Sequence, residues 1–315
     1  MVYLILQINM FRKAIITGAT GMIASALIRV LVENGIEVAA ICRPSSAKLS
    51  NIIDSELVKI YEADVSDLLS LKDKIPKGDV FYHFAWGGTF GKSRNDCDGQ
   101  LRNIEYTLNA VELAANLGCN TFIGAGSQAE YGRKNVKLTA FTDTNPENAY
   151  GAAKLAAGHL SRVKAQNMGM RHIWARILSV YGPGDNPYTI LTSSIEKLIS
   201  DKYADFTKGE QEWDFLYCDD AASALFKMGV SGRNGAVYPL GSGETRHLSE
   251  FIEIMRDCVD PTAEINLGGI PYNDKQVMYL CADISDLKKD TGFEPQVSFE
   301  EGIQRTVEWV RNNRK

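Results

Sequence analysis

The sequence predicts an α/β fold, a doubly wound parallel sheet followed by a smaller α+β part. Three observations carry this reading. In the first half, short apolar runs alternate with longer amphipathic segments, as successive β-α-β units require. A glycine-rich turn, Thr17-Gly-Ala-Thr-Gly-Met-Ile-Ala24, follows the first apolar run and opens the first helical segment. The chain has 315 residues, 45% apolar and 23% charged, enough for a sizeable core in one large or two closely joined domains.

The expected strands are the apolar runs at 13–17, 36–42, 57–61, 79–85, 120–125 and 172–180. Between them, 21–34, 94–118 and 146–169 have helical spacing. The last begins after Asn145-Pro146, where proline is tolerated in a first turn. Beyond Tyr181 the spacing becomes mixed, with helices expected at 188–200, 219–229, 248–258 and 298–312 and short strands at 214–218, 236–239 and 277–281. No internal repeat, low-complexity tract or long linker interrupts the chain. Residues 10–180 and 181–315 are therefore expected to pack closely, with chain crossovers between them.

A formal charge of −5 gives no general attraction to nucleic acid or to an anionic membrane. The six cysteines (42, 97, 119, 218, 258, 281) form no Cys-x-x-Cys, and His83, His159, His172 and His247 are dispersed, so reduced thiols in a cytoplasmic, metal-free protein are expected. Residues 1–10 are apolar but too short to span a bilayer, and no basic leader precedes them. Met10 stands directly before the first strand; one reading starts translation there and treats residues 1–9 as an extension.

The glycine turn has the strand-to-helix context of a dinucleotide site, which makes the sheet Rossmann-type. Gly18 allows the tight turn, Gly21 lets backbone approach a pyrophosphate at a helix N-terminus, and Ala24 is the small residue where helix meets strand. The second strand ends at Arg43, and no Asp or Glu occurs from Val38 through Ile53. A carboxylate there would accept from a ribose 2′-hydroxyl, whereas an arginine pairs with a 2′-phosphate. NADP(H) is thus favoured over NAD(H), although Arg43 also fits a solvated loop residue stacked on adenine. Asp64 suits either the adenine amino group or a helix cap.

Tyr150 and Lys154 lie four apart on one helical face, so the ammonium can approach the phenol and lower a pKa that is ordinarily about 10. With thirteen tyrosines, roughly one such spacing is expected by chance. The pair gains weight from Ser127, which ends a strand where such folds place ligands.

The ordered set comprises the Thr-Gly-x-x-Gly-x-x-Ala turn, Asp64, His83-Phe-Ala85, Ser127 before Tyr131-Gly132, Tyr150-x-x-x-Lys154, Arg176 before Val180-Tyr-Gly-Pro183, and Asp214-Phe-Leu-Tyr217-x-Asp-Asp220. It resembles the extended short-chain dehydrogenase/reductases of the NAD-dependent epimerase/dehydratase family, from about residue 12 to the end. The resemblance implies a dinucleotide-binding part over 10–180 and a substrate-binding part over 181–315. It implies that Tyr150 exchanges a proton, that Lys154 lowers its pKa and binds the nicotinamide ribose, and that Ser127 hydrogen-bonds the reacting oxygen. Implied cofactor contacts are Gly18, Thr20, Gly21, Met22 and Ile23 in the turn, with Arg43, Asp64 and Val65. Phe84, Ala85, Trp86, Asn103, Tyr150, Lys154, Ile177 and Val180 complete the set; Asn103 also fits a satisfied buried amide. Implied substrate contacts are Trp86, Thr89, Gln128, Ser179 and Trp213.

Two departures narrow the reaction. Relatives that dehydrate a sugar across C4–C6 carry Asp-Glu directly after the catalytic hydroxyl, where this chain has Gln128-Ala129, so elimination is not expected. Trp213 stands where many relatives place an arginine for the diphosphate, which leaves Lys208, Arg246 and Lys275 as candidates. The expected activity is an NADP(H)-preferring reduction of a nucleotide-linked 4-keto-6-deoxyhexose. An epimerase retaining NAD(P) is the alternative, and a non-catalytic nucleotide-binding protein is the third reading. The resemblance further implies a homodimer through the 94–118 and 146–169 helices.

Overall fold

The computed structural model describes residues 10–313, so the proposed extension at 1–9 lies outside the described residues. Seven parallel strands form the central sheet: β1 (Lys13–Thr17), β2 (Glu37–Cys42), β3 (Val58–Glu62), β4 (Val80–His83), β5 (Thr121–Ser127), β6 (Arg171–Ile177) and, from much later in the chain, β11 (Val237–Leu240). Their order is β11-β6-β5-β4-β1-β2-β3. The direction of winding reverses between β1 and β4, and that reversal opens a crevice beyond the carboxyl ends of the strands.

Both faces of the sheet are covered, which is why its strands read as apolar runs. Side chains alternate across a strand. Ala14 and Ile16 of β1 therefore join one core with Leu27, Ile28 and Leu31 of α1 (Met22–Glu33) and with Ala221, Ala222 and Leu225 of α5 (Cys218–Ser231). Ile15, between them, enters a second core with Val111 and Ala114 of α2 (Cys97–Asn116) and Ala165 of α3 (Ala149–Asn167). All of these residues are at most 1% exposed. Each large aliphatic side chain so buried contributes about 1.5–3 kcal/mol, and a one-residue slip of β1 would put Ile15 on the wrong face.

Residues past Tyr181 do not stay apart from this sheet. Residues 218–240 return to it, α5 covering α1 and β11 pairing with β6 from Val237↔Trp174 to Leu240↔Ile177. The rest of the chain builds α4 (Ile190–Asp201), α6 (Leu248–Val259), α7 (Ser285–Thr291), α8 (Phe299–Asn313) and three small sheets. In those sheets β7 (Ser179–Tyr181) pairs with β10 (Phe215–Tyr217), and β8 (Tyr203–Phe206) with β13 (Glu264–Leu267). β9 (Glu212–Trp213) lies between β12 (Arg246–His247) and β14 (Tyr279–Leu280).

Several boundaries differ from expectation for identifiable reasons. The strand expected over 172–180 divides at Leu178, whose N–H still bonds Leu240 O, while Ser179–Tyr181 change partner to β10. The helix expected from 146 begins at Ala149 because the Asn148 carboxamide accepts the Gly151 N–H at 2.8 Å. Asp96 likewise caps Gly99 at 3.1 Å and delays the preceding helix to Cys97, leaving residues 91–95 as a 3₁₀ turn.

Candidate active site

The crevice holds a cavity of about 510 Å³. Its floor is the glycine turn. Gly18 has φ of +69°, and a Cβ there would stand 2.8 Å from Ala85 N, so β1, its turn and the loop after β4 can meet only at glycine. Gly21 is the N-cap of α1 and supplies no side-chain cap; the first turn of that helix carries no acidic residue. The first N–H groups of α1 thus face the crevice without a side-chain acceptor or a competing negative charge, a cradle for a pyrophosphate. The residues present therefore fit a dinucleotide.

The loop after β4 is held by two amides from α2. Asn103 accepts the Gly87 N–H and donates to Gly87 O, each at 2.9 Å. Gln100 donates to Gly88 O at 2.9 Å and Ser93 O at 3.0 Å, and its Oε1 accepts the Trp86 indole N–H at 2.9 Å. The Trp86 ring thereby stands edge-on to Tyr150, with centroids 6.1 Å apart. Behind it, His83 lies between Thr17 Oγ1 at 2.8 Å and Thr107 Oγ1 at 3.3 Å. Burial, reinforced by the Lys154 charge, pushes the imidazole down to about 3, so it is neutral and structural at physiological pH.

Ser127, Tyr150 and Lys154 line the same cavity, and the Ser127 hydroxyl accepts the Ala129 N–H at 3.2 Å. The electrostatics differ from the sequence expectation. The Lys154 ammonium, only 4% exposed as a residue, donates to Ala125 O at 2.6 Å and stands 3.7 Å over the Trp86 ring, 5.9 Å from the Tyr150 centroid. The cation on the Tyr150 ring is instead Arg94, 4.3 Å from the centroid, whose Nη1 donates to Thr89 O. Burial pushes the Tyr150 phenol up, against the nearby Ser127 hydroxyl and the Arg94 charge, so the phenol is protonated at neutral pH. Lys154 is pushed down to about 7 by burial, opposed by the Glu130 carboxylate. The i, i+4 spacing places Lys154 and Tyr150 on one face but does not aim the ammonium at the phenol.

The other expected residues divide. Met22, Ile23, Phe84, Trp86, Thr89, Ile177, Ser179, Val180 and Trp213 line the cavity with Gly18 and Gly21. Thr20, Arg43, Asp64, Val65, Ala85, Asn103 and Gln128 do not. Asn103 is occupied by Gly87, and Asp64 takes the cap role, accepting Ser66 N–H at 3.0 Å. Arg43 is exposed at the end of β2, close enough to Asp64 for its charge to help hold that carboxyl below its usual range, after the two Ser66 hydrogen bonds. Gln128 borders an adjoining cleft of about 290 Å³ with Arg94, Arg133 and Lys275. Ser179 Oγ accepts the Trp213 indole N–H at 2.9 Å, which ties two expected substrate contacts together. Neither Lys208 nor Arg246 lines the cavity, and Arg246 is paired with Glu300 at 2.6 Å.

Sequence reasoning missed Arg94, Lys48 and Asp185, all cavity-lining. Asp185 accepts from Asn186 N–H and Thr189 Oγ1, and burial raises its carboxyl to about 6. An Asp at the end of Tyr-Gly-Pro-Gly reads as a turn residue, and only the fold puts it in the crevice. Among the described residues, no group of three or more His, Cys, Asp or Glu side chains could hold a metal, and no helix is long and apolar enough to cross a membrane.

Residues 14–241 match the NAD dependent epimerase/dehydratase family. The chain is similar to the dTDP-glucose 4,6-dehydratase of Escherichia coli, at 25% identity over 96% of this chain and 94% of that protein. It is also similar to the UDP-glucuronate 4-epimerase of Thermodesulfobacterium geofontis, at 26% identity over 95% and 96%. Among solved structures, the UDP-glucuronic acid 4-epimerase of Bacillus cereus in complex with NAD superposes with a TM-score of 0.82 at 25% identity, covering 95% of this chain and 99% of that one.

Proposed function

Because the chain belongs to the NAD dependent epimerase/dehydratase family, we propose that it transfers hydride at a sugar carbon of a nucleotide-activated sugar, in the direction of a net reduction of a 4-keto-6-deoxyhexose. The observation that carries this reading is the Tyr150 phenol, kept in its acid form by burial and lining the cavity together with Ser127 and Lys154. A phenol in its acid form is ready to donate a proton to a carbonyl oxygen as that oxygen gains charge. Ser127 holds that oxygen by a hydrogen bond. Arg94 stabilises the phenolate left behind, and Lys154, between Ala125 O and Trp86, would hold the nicotinamide ribose of a bound dinucleotide.

The glycine turn, Met22, Ile23, Phe84 and Val180 would hold the dinucleotide, which when bound supplies the hydride. Arg43, at the end of β2 with no carboxylate in the following loop, supports NADP(H). Elimination is disfavoured by an observation beyond Gln128-Ala129. The next carboxylate, Glu130, is fully buried and saturated by Ser127 N–H, Trp174 and Arg176, so it cannot serve as a base. Leu101, Leu160 and Val163, exposed at 65%, 48% and 50% on α2 and α3, support a homodimer through those helices.

A second reading, epimerisation with retained NAD, is favoured by the epimerases among the similar proteins. Stoichiometry separates the two. Under the first reading, each turnover of an NDP-4-keto sugar oxidises one reduced cofactor, seen as lost nicotinamide absorbance. Turnover with bound cofactor and no net absorbance change would replace reduction by epimerisation. Arg43→Ala should weaken NADPH binding much more than NADH binding, and equal losses remove the 2′-phosphate role.

A further inference from the structure

Glu130 does not line the main cavity, yet it grips the segment that presents Ser127. The residue is fully buried. Its Oε1 accepts the Ser127 main-chain N–H and the Trp174 indole N–H, each at 2.9 Å, and its Oε2 accepts Arg176 Nε at 2.6 Å. Arg176 is buried as well, its guanidinium 4.5 Å from the Tyr131 ring centre. The arrangement has been given room. A Cβ on Gly126 would stand 2.6 Å from Glu130 Oε1 and would also strike Trp174 Nε1. A buried ion pair is a weak source of stability, since an apolar pair of similar volume does as well. Its place behind the reacting groups is what makes it informative.

We propose that Glu130 is a positioning residue for both Ser127 and Lys154: it fixes the Ser127 main chain by a charge-assisted hydrogen bond, and its negative charge, balanced by Arg176, is the counter-charge of the Lys154 ammonium. Lys154 meets Tyr150 on its own helix, Ala125 O from β5, and the Trp86 ring and neutral His83 from β4 and its loop. The Glu130 carboxylate opposes the effect of burial on that ammonium. Lysine and carboxylate thus grip the end of β5 two residues apart, Lys154 on Ala125 O at 2.6 Å and Glu130 on the Ser127 N–H at 2.9 Å.

The proposal rests on the reading of Ser127, Tyr150 and Lys154 given above. Its test is the pH profile of kcat and KM in the full chain carrying Glu130→Gln, which keeps the shape but loses the charge. Lys154 should then lose its proton at lower pH, so the alkaline limb should move down by about one pH unit. kcat should fall roughly tenfold or more through the loosened Ser127, while KM for the nucleotide sugar stays put because Glu130 does not line the cavity. Glu130→Asp, which keeps the charge but shortens the reach, should leave the limb in place and lower kcat alone. A limb in Glu130→Gln that coincides with wild type overturns the proposal, as does an unchanged kcat in Glu130→Asp. If Glu130→Gln does not fold, Glu130→Asp decides alone, an unchanged kcat overturning the proposal. Absence of turnover in wild-type protein on every NDP-sugar would sink the functional reading instead. The limb is then followed in NADH binding by nicotinamide fluorescence, where an unshifted limb in the charge-removing variant sinks this proposal.

Discussion

Lys154 should make the folded protein more stable in mild alkali than in mild acid, and replacing it with Met should abolish that difference. An unfolded lysine releases its proton near 10.5, whereas in the fold burial brings Lys154 down to about 7. Between these values the unfolded chain binds more protons than the native one, so stability rises with pH across that window. At pH 6 both states hold the proton and the group contributes no pH dependence. By pH 9 the native lysine has been neutral for about two pH units while the unfolded one is still charged, which amounts to roughly 3 kcal/mol. Other groups titrate in the same range, so the quantity to measure is a double difference. Unfolding free energies of wild type and Lys154→Met from urea titrations at pH 6 and pH 9 isolate the lysine. Wild type should gain roughly 2–3 kcal/mol on the variant between the two. A double difference near zero would mean that Lys154 keeps an ordinary pKa and that its contacts with Ala125 O and Trp86 compensate fully for burial.

Other expectations follow from the same geometry. Tyr150→Phe should keep NADPH binding, read by fluorescence, while kcat falls about 10²–10⁴-fold because the ring remains and the proton does not; near-wild-type turnover would remove Tyr150 from the reaction. Arg94→Gln, which takes the cation from 4.3 Å above that ring, should lower kcat about 5- to 30-fold, with an unchanged kcat as the contrary result. Gly18→Ala combines a left-handed backbone with a Cβ 2.8 Å from Ala85 N, and cofactor affinity by titration calorimetry should drop about 10- to 100-fold. Asp214→Ala would leave the N–H groups of Ser242, Gly243 and Ala282 without the carboxylate they share. Unfolding free energy should fall by about 3–5 kcal/mol, and a loss under 1 kcal/mol would show that water replaces the carboxylate freely.

The parts of this molecule legible in the sequence are those governed by local rules. β1, the glycine turn and α1 follow from a buried run, two glycines and an apolar stripe, and the structure forms them within a residue or so of where they read. Helix starts slipped where a cap two residues downstream outranked a proline, as Asn148 did over Pro146. Two-residue strands such as β9 and β12 carry no period to detect. At the site, Ser127, Tyr150 and Lys154 were legible as residue types at a spacing, and the fold brings them to one wall. Their charge environment was not. Arg94 reaches Tyr150 from a 3₁₀ turn more than fifty residues earlier, and Glu130 meets Arg176 from another strand. No local pattern encodes such meetings, and they bear on whether Tyr150 and Lys154 hold their protons.

The late return of residues 218–240 has a consequence for how the molecule comes into being. Until Val237–Leu240 pair with it, β6 is an unprotected edge whose outer N–H and C=O groups invite pairing with any extended chain. During synthesis the first six strands emerge well before their last neighbour, so the nascent sheet passes through an interval in which its cofactor crevice is nearly complete and its rim is open to misassembly. Cutting the chain after Tyr181 would make that interval permanent. The first 181 residues are therefore expected to aggregate rather than to bind dinucleotide as a free-standing half.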